Sequence, residues 1–218
     1  MTYILHLETA TKSCSVALSL NGELVAISEV ISAEYSHAEN LTVFVQKVLD
    51  EAQISLADLA AVSVSSGPGS YTGLRIGVST AKGFCYALNI PLIGVDALYS
   101  LAQQALIKHP GKNLCAMIDA RRMEVFSAIY NESFEIIKPI TADILDEKSY
   151  SEYGYFVYFG DGAEKLKNCW ENRDLLADLT ILSSAAGQIK EAYRKFIAQE
   201  FEDVAYFEPF YLKDFISK

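Results

Sequence analysis

The chain has 218 residues, 51% of them hydrophobic, and a formal net charge of −10. This length allows one large domain or two small lobes with a substantial core. The negative charge argues against a chain that grips a phosphate backbone by itself, so a role on RNA would need a basic partner.

The first half of the chain predicts the order β-β-β-α-β-α. Asn21-Gly22 is a strong hairpin signal, and Ser36 and Glu39 have the spacing of a capping box that opens a helix. The expected strands and helices are residues 3–7, 14–20, 23–30, 36–51, 60–65 and 71–88.

The same order is predicted a second time from Leu114 onward. Strands are expected at residues 114–118, 125–130, 134–140 and 155–159, with a short helix at 143–149 and a helical stretch from Ala163. The two openings align as H-L-E-T-A-T-K-S-C-S-V-A-L and M-I-D-A-R-R-M-E-V-F-S-A-I. Each opening places an acid, Glu8 or Asp119, where the first strand ends.

Two lobes of this kind are the plan of the actin-like and sugar-kinase superfamily, so we predict an α/β fold of two ribonuclease-H-like lobes. We expect the lobes to be residues 1–100 and 101–218, with a C-terminal tail that can pack back on the first lobe. In that plan a nucleotide lies between the lobes, and the acid after the first strand helps to place its metal. Alternatively, Glu8 and Asp119 only cap turns at strand ends.

A glycine-rich segment, S-S-G-P-G-S-Y-T-G-L-R-I-G, occupies residues 65–77. Gly67 and Gly69 lie between a strand and a helix, which is typical either of a tight turn or of an anion cradle at a helix N-terminus. The G-K-[ST] ending of a Walker loop is missing. Ser70 is predicted to cap the helix by accepting a backbone hydrogen bond.

The helix over residues 71–88 has two faces of small residues. Gly73, Gly77 and Ala81 recur every four residues and form a groove, which meets either the chain's own sheet or a partner. A second, weakly polar strip contains Ile76, Thr80, Gly83 and Ala87. We expect this strip and the helix over 36–51 to form a partner surface.

The four cysteines are scattered and show no C-x-x-C spacing, which predicts buried, reduced thiols in a cytoplasmic protein. The N-terminus lacks the basic region of a signal peptide, and no apolar run reaches the length of a membrane helix. Neither a G-x-S-x-G nor an H-E-x-x-H motif is present, so the sequence does not point to a serine hydrolase or a zinc peptidase.

Four segments together resemble the TsaB (YeaZ) family. They are the opening I-L-H-L-E-T-A-T-K-S-C-S-V-A-L, the glycine-rich segment, the stretch I-D-A-R-R-M-E-V-F, and the tail E-P-F-Y-L-K. The resemblance implies a bacterial scaffold subunit without catalytic activity of its own. Such a subunit pairs with the catalytic subunit TsaD and the ATPase TsaE to place threonylcarbamoyl on the adenosine beside the tRNA anticodon.

The resemblance also implies which groups this chain lacks. The catalytic relative holds a metal with two histidines one turn apart, whereas here His37 is followed four residues later by Leu41. The family usually carries Asp after the first strand, where this chain has Glu8. We therefore expect no metal site and no tightly bound cofactor in this chain, with ATP and a metal used by its partner subunits.

The sequence predicts a surface for a protein partner and leaves an enzymatic function as the alternative. The partner surface is expected at His37, Leu41 and Phe44 together with the strip on the second helix, and the isolated chain is expected to form a homodimer. Contact with tRNA would be made only through the complex, and none with a membrane. The competing class is a nucleotide-dependent phosphotransferase or ATPase that uses Glu8, Asp119 and the turn at 67–72. The aromatic tail, with Lys213, either stacks on nucleotides or packs on the body of the protein.

Overall fold

A computed structural model describes residues 1–31 and 37–213. The chain forms two lobes, each built on a mixed sheet of five strands. The strands of the first sheet are β1 (Tyr3–Glu8), β2 (Ser13–Leu20), β3 (Glu23–Ile31), β4 (Leu59–Gly67) and β5 (Leu92–Asp96). Those of the second are β6 (Leu114–Asp119), β7 (Glu124–Tyr130), β8 (Ile136–Ile144), β9 (Val157–Phe159) and β10 (Leu176–Asp178).

The two sheets have the same topology. The first has the order β3-β2-β1-β4-β5, and the second has the order β10-β9-β6-β7-β8, which is the same arrangement listed from the opposite edge. In each, the first three strands pair antiparallel and the last two run parallel to the first. The duplicated two-lobe fold predicted from the sequence is therefore confirmed.

Four α-helices cover the sheets of the described chain. They are α1 (His37–Ala52), α2 (Tyr71–Leu88), α3 (Ala97–Lys108) and α4 (Ile189–Ala198). Helices α1 and α2 bury Leu41, Val45, Val78 and Cys85 in one hydrophobic cluster on the first sheet, as their periodicity predicts. Ser36, the predicted start of the capping box, lies outside the described residues.

The last two helices connect the lobes, whereas the sequence analysis expected only a C-terminal tail that can pack back on the first lobe. Helix α3 follows the first sheet in the chain, but its residues Leu98, Leu101 and Ala105 cluster with residues of the second sheet. Helix α4 comes from the second half of the chain, yet it packs on the first sheet, where Ala192 joins Ile4 and its neighbours. The predicted boundary after residue 100 thus falls within α3.

Local sequence signals explain several element ends. Asn21 and Gly22 both have positive φ, 52° and 84°, as the two-residue hairpin requires. Ser70 caps α2, because its side chain accepts a hydrogen bond from the backbone N–H of Gly73. Asp96 caps α3 in the same manner through the N–H of Tyr99.

The second lobe departs from the predicted order. The helix expected at 143–149 is absent from the described structure, where β8 extends to Ile144 and a turn follows. The carboxylate of Asp146 accepts backbone hydrogen bonds from Lys148 and Ser149 at 2.9 Å, which stabilises the turn in place of a helix. The helical stretch from Ala163 is only a short 3₁₀ helix, Ala163–Leu166.

Between the first sheet and α4 lies a buried polar layer. The His6 ring is hydrogen-bonded to Ser63 at 2.6 Å and to Ser19 at 2.7 Å. Ser63 donates to Gln188 at 2.8 Å, and Gln188 donates to the carbonyl of Leu7. Burial lowers the pKa of His6 to about 3, so this histidine is a neutral structural group.

Candidate functional site

A cleft of about 250 Å³ lies between the lobes, where the ends of the first strands of the two sheets face each other. The β1–β2 turn and the start of α2 form one wall, and the β6–β7 turn forms the other. The C-terminal tail contributes three residues. Its lining includes Ala10, Thr11, Lys12, Gly69, Ser70, Tyr71, Asp119, Ala120, Arg121, Asp161, Tyr211, Leu212 and Lys213.

Glu8 does not face this cleft. Its side chain is fully buried within the first lobe, and one carboxylate oxygen accepts a hydrogen bond from the N–H of Ala10 at 2.7 Å. Burial raises the pKa of Glu8 to about 7, although the hydrogen bond from Ala10 opposes this shift. Among the ion pairs formed by residues 1–31 and 37–213, none includes Glu8. The structure therefore does not bring Glu8 and Asp119 together as a pair of ligands.

Asp119 lies in the cleft but is occupied by contacts within its own lobe. Its carboxylate pairs with Lys165 at 2.5 Å and accepts the backbone N–H of Arg121 at 2.6 Å. The N–H of Asp119 donates to the carboxylate of Asp161, and burial raises the pKa of Asp161 to about 6. Arg121 and the residue after it adopt positive φ, and both side chains are exposed.

The glycine-rich turn is filled by the chain itself. The N–H of Ser70 donates to the carbonyl of Ala10 at 2.6 Å, and a Cβ at Gly69 would lie 2.4 Å from that same oxygen. Gly67 has φ +105°, and a Cβ there would lie 2.6 Å from the carbonyl oxygen of Phe210. The two glycines are thus required by close contacts with Ala10 and the tail, as in a tight turn, while Gly69, Ser70 and Tyr71 also line the cleft.

The second lobe has a matching pair of glycines. Gly67 is the last residue of β4 and Gly69 lies just after it. In the same way Gly160 and Gly162 lie just after β9, and Gly160 has φ +99°. A Cβ at Gly160 would lie 2.0 Å from the carbonyl of Met117 in β6. Gly69 in the first lobe, and Gly160 and Gly162 in the second, therefore allow close packing against residues at or just after the end of the first strand. This repeat, G-P-G and G-D-G, was a signal that could have located Asp161 in the cleft.

The small-residue groove on α2 packs against the chain itself. A Cβ at Gly73 would lie 2.1 Å from the carbonyl oxygen of Thr9, and one at Gly77 would lie 2.3 Å from the Thr9 hydroxyl. This groove receives the β1–β2 turn and is not available to a partner. Tyr71 and Tyr211, which sequence reasoning did not place in the cleft, contact each other there with ring centroids 4.9 Å apart and ring planes tilted by 39°.

The described residues contain no group of three or more His, Cys, Asp or Glu side chains that could hold a metal ion. His37 is buried, and its Nε2 is 2.8 Å from the carbonyl oxygen of Thr11. Glu8 is absent from the lining of the cleft, and the carbonyl of Ala10 packs against Gly69.

The structure corrects part of the predicted partner surface. His37 and Leu41 are each only 1% exposed, so they belong to the interior of the first lobe. Phe44, Ile76 and Thr80 are half-buried, whereas Gly83 and Ala87 are exposed on the outer face of α2.

No helix of residues 1–31 and 37–213 is long and apolar enough to cross a membrane. The thiols of Cys14, Cys85 and Cys115 are buried and Cys169 is half-buried; all four are free.

The sequence of this chain is similar to proteins of tRNA threonylcarbamoyladenosine biosynthesis. A protein-family model described as TsaD, tRNA N6-adenosine threonylcarbamoyltransferase, matches residues 31–214. The tRNA threonylcarbamoyladenosine biosynthesis protein TsaB of Escherichia coli K12 is 33% identical over 97% of this chain and 94% of its own length. TsaB of Haemophilus influenzae is 35% identical over 59% of this chain and 54% of its own length.

Solved structures agree with these sequence matches. YeaZ from Pseudomonas aeruginosa superposes with a TM-score of 0.81 and 27% identity, covering 97% of this chain and 100% of that one. The activator of 2-hydroxyisocaproyl-CoA dehydratase from Clostridium difficile, solved with bound ADPNP, has a TM-score of 0.55 and 10% identity. It covers 93% of this chain and 99% of its own, and it shares the fold alone. With a domain of the TsaD type and a full-length match to TsaB, the chain belongs to the TsaB family.

Proposed function

We propose that this chain is a non-catalytic scaffold and activating subunit of a cytoplasmic complex that adds threonylcarbamoyl to the adenosine beside the tRNA anticodon. It would pair with a TsaD-like catalytic subunit and work with a TsaE-like ATPase. The full-length similarity to the E. coli biosynthesis protein supports the process, and the match to a TsaD family model supports pairing between two related folds.

The outer face of α2 is the observation that carries the pairing. Within Tyr71–Leu88, which the structure describes throughout, a strip on the side away from the buried residues carries no charged side chain, and the exposed Arg75 and Tyr86 flank it. It is formed by Thr72, Ile76, Ser79, Thr80, Gly83 and Ala87. A surface helix normally places charged residues on the side away from the core. A small, uncharged face is therefore suited to close contact with another helix.

Gly83 is the centre of this face. A Cβ there would meet no described atom within 4 Å, so the glycine is not required by packing within the chain. Exposed glycine in a helix interior costs about 1 kcal/mol relative to alanine. A contact with the partner's backbone would account for a residue that this chain itself does not need.

The isolated chain is proposed to lack cofactor chemistry and direct tRNA binding. We propose that it binds no cofactor tightly and that ATP and a metal are used by the partner subunits. The net charge of −10 favours tRNA contact through the complex over direct binding. The inward orientation of Glu8 and the filled glycine turn favour a scaffold over the alternative phosphotransferase or ATPase.

The pairing is tested by titrating the TsaD-like subunit of the same organism into this chain by calorimetry. We expect Gly83→Leu to weaken binding at least tenfold while the melting temperature stays equal or rises. Lys190→Leu, which adds the same side chain at an exposed position of α4, should bind like the wild type. Equal affinity of all three proteins would place the partner elsewhere.

The enzyme alternative has its own test. The purified chain should neither bind Mg·ATP with micromolar affinity nor hydrolyse it above the rate of a buffer blank. Saturable hydrolysis that follows the chain through purification, and that Asp119→Asn abolishes, would favour the phosphotransferase or ATPase class.

A further inference from the structure

The C-terminal residues 210–213, here called the strap, cross from one lobe to the other at the cleft. The backbone N–H of Phe210 donates to the carbonyl of Ser66 at the end of β4, with an N···O distance of 2.7 Å. Lys213, three residues later, forms an ion pair with Glu124 at the start of β7. The strap is therefore attached to both sheets.

The middle of the strap fills space in the cleft. Tyr211 contacts the ring of Tyr71 and accepts a hydrogen bond from Arg75 Nε at 3.3 Å. Tyr211 and Leu212 also pack against the hydrophobic cluster that α3 forms with the second sheet. The cleft that remains has about 250 Å³, whereas pockets for small molecules and cofactors are usually about 300–1,000 Å³.

The segment before the strap is fixed to the first lobe alone. Lys82 Nζ donates to the carbonyls of Ala205 and Phe207 at 2.9 and 3.1 Å. The ring of Phe207 packs against the first hydrophobic cluster and approaches Gly94. Contacts of this kind bury apolar area. The far end of the strap is held by the partly buried side chains of Tyr211 and Leu212 and by the partly exposed Lys213–Glu124 ion pair, which itself contributes about 0–1 kcal/mol.

Gly67 links the glycine-rich segment to the strap. The Phe210 carbonyl lies where any other side chain at Gly67 would begin, and the positive φ of Gly67 presents the neighbouring Ser66 carbonyl to the Phe210 N–H. The backbone of the C-terminal tail thus packs directly against Gly67, the first glycine of the G-P-G turn.

We propose that the strap is a releasable cover of the interlobe cleft, which limits the access of solutes to the cleft and opens at its Lys213 end. Its anchored side remains on α2 and β5 when it opens, so release exposes the cleft without unfolding the first lobe. Entry of any ligand into the cleft is opposed by the contacts of Tyr211, Leu212 and Lys213. This inference concerns the chain's own cleft and does not depend on the proposed pairing.

The seated strap is tested first on the unaltered chain by hydrogen exchange. The Phe210 amide should exchange at least tenfold more slowly than an unprotected amide of the same sequence, because it is hydrogen-bonded to Ser66. An unprotected rate would overturn the proposal without any variant having to fold.

The cover is tested by thiol labelling in the full chain. A reporter, Ala120→Cys, is placed in the cleft lining in a Cys169→Ser background, since the other three native thiols are buried. Releasing the strap with Tyr211→Gly and Lys213→Ala should raise the maleimide labelling rate at least tenfold. Tyr206→Gly, which removes an aromatic ring of the same tail that is 84% exposed, should leave the rate unchanged.

Two controls make the outcome decisive. Glu132→Cys at an exposed turn of the second lobe reports any change in thiol reactivity unrelated to the cleft. Fluorescence of the buried Trp170 reports folding. If the release variant stays folded, loses Phe210 protection and still labels at the wild-type rate, the strap does not cover the cleft and the proposal fails.

Discussion

The hydroxyl of Thr9 donates to the carbonyl of Gly73 at 2.8 Å and so fastens the turn after β1 to the first turn of α2. Thr9 is fully buried at this contact, and it also faces Gly77 one turn further along the helix. Because helix and turn approach this closely, the groove of small residues is part of the first lobe's interior.

The contact predicts that Gly77→Leu destabilises the protein. A leucine there would overlap the Thr9 hydroxyl, and overpacking of this kind costs roughly 1–3 kcal/mol. The free energy of unfolding is measured by chemical denaturation. Gly83→Leu is the matched control on the same helix and should be neutral or stabilising, since its side chain enters open space. Equal losses in the two variants would contradict the assignment of the two faces.

Burial of Glu8 predicts a dependence of stability on pH. The pKa of Glu8 is about 7 in the folded chain and about 4.5 unfolded, so the folded state retains this proton over that interval. The contribution of Glu8 to stability is therefore complete below about pH 4.5 and is lost as pH rises through 7. The loss amounts to at most about 3–4 kcal/mol, since one pKa unit corresponds to about 1.4 kcal/mol.

The variant Glu8→Gln isolates this effect, because its amide is neutral at every pH. We expect it to be more stable than the wild type at pH 8 and to lose that advantage at pH 4.5, by denaturant titration at both values. Glu51→Gln on the exposed side of α1 should show no such difference. An advantage that is independent of pH would mean that the Glu8 carboxyl is not the titrating group.

Asp119 is predicted to be dispensable for chemistry. Its carboxylate is already held by Lys165 and by the N–H of Arg121, so Asp119→Asn should disturb the β6–β7 turn but no reaction step. In the reconstituted reaction, the rate of tRNA modification should remain within tenfold of the wild type. A loss beyond about a hundredfold, equivalent to about 2.7 kcal/mol of barrier, with partner affinity unchanged, would argue for a catalytic role.

The isolated chain is predicted to form a two-fold dimer through the outer face of α2. Two-fold dimers are the commonest soluble oligomers, and the strip of α2 without charged side chains is suited to self-association. Sedimentation at micromolar concentration should show a dimer for the wild type. Ala87→Glu should yield monomer because a carboxylate would lose its hydration within the contact, whereas Lys190→Glu on α4 should remain dimeric. A monomeric wild type would contradict the prediction.

Local signals were sufficient for much of the first lobe. The hairpin at Asn21-Gly22, the Ser70 cap and the apolar stripe through Leu74, Val78 and Cys85 depend on neighbours only a few residues away. Patterns of this range can be read from a sequence because backbone φ and helix periodicity are local properties.

The second lobe was less predictable for a physical reason. Its strand β9 has three residues, and the segment after it forms a 3₁₀ helix and turns around the buried Trp170. Such segments have no sustained period, and the Asp146 turn competed successfully with a predicted helix. β5 and α3 were missed in the first half because a buried strand and a buried helix show little contrast between faces.

The sequence by itself determined the duplicated strand order, the family and the two glycine turns, since these depend on residue types in a fixed order. Only the tertiary structure decided what those residues face. Glu8 turned inward because the alternation of β1 places it on the side covered by Gln188, whereas Asp119 reached the cleft. Phe210 met Gly67 across more than 140 positions of the chain, a contact that depends on how the lobes pack and that no local pattern encodes.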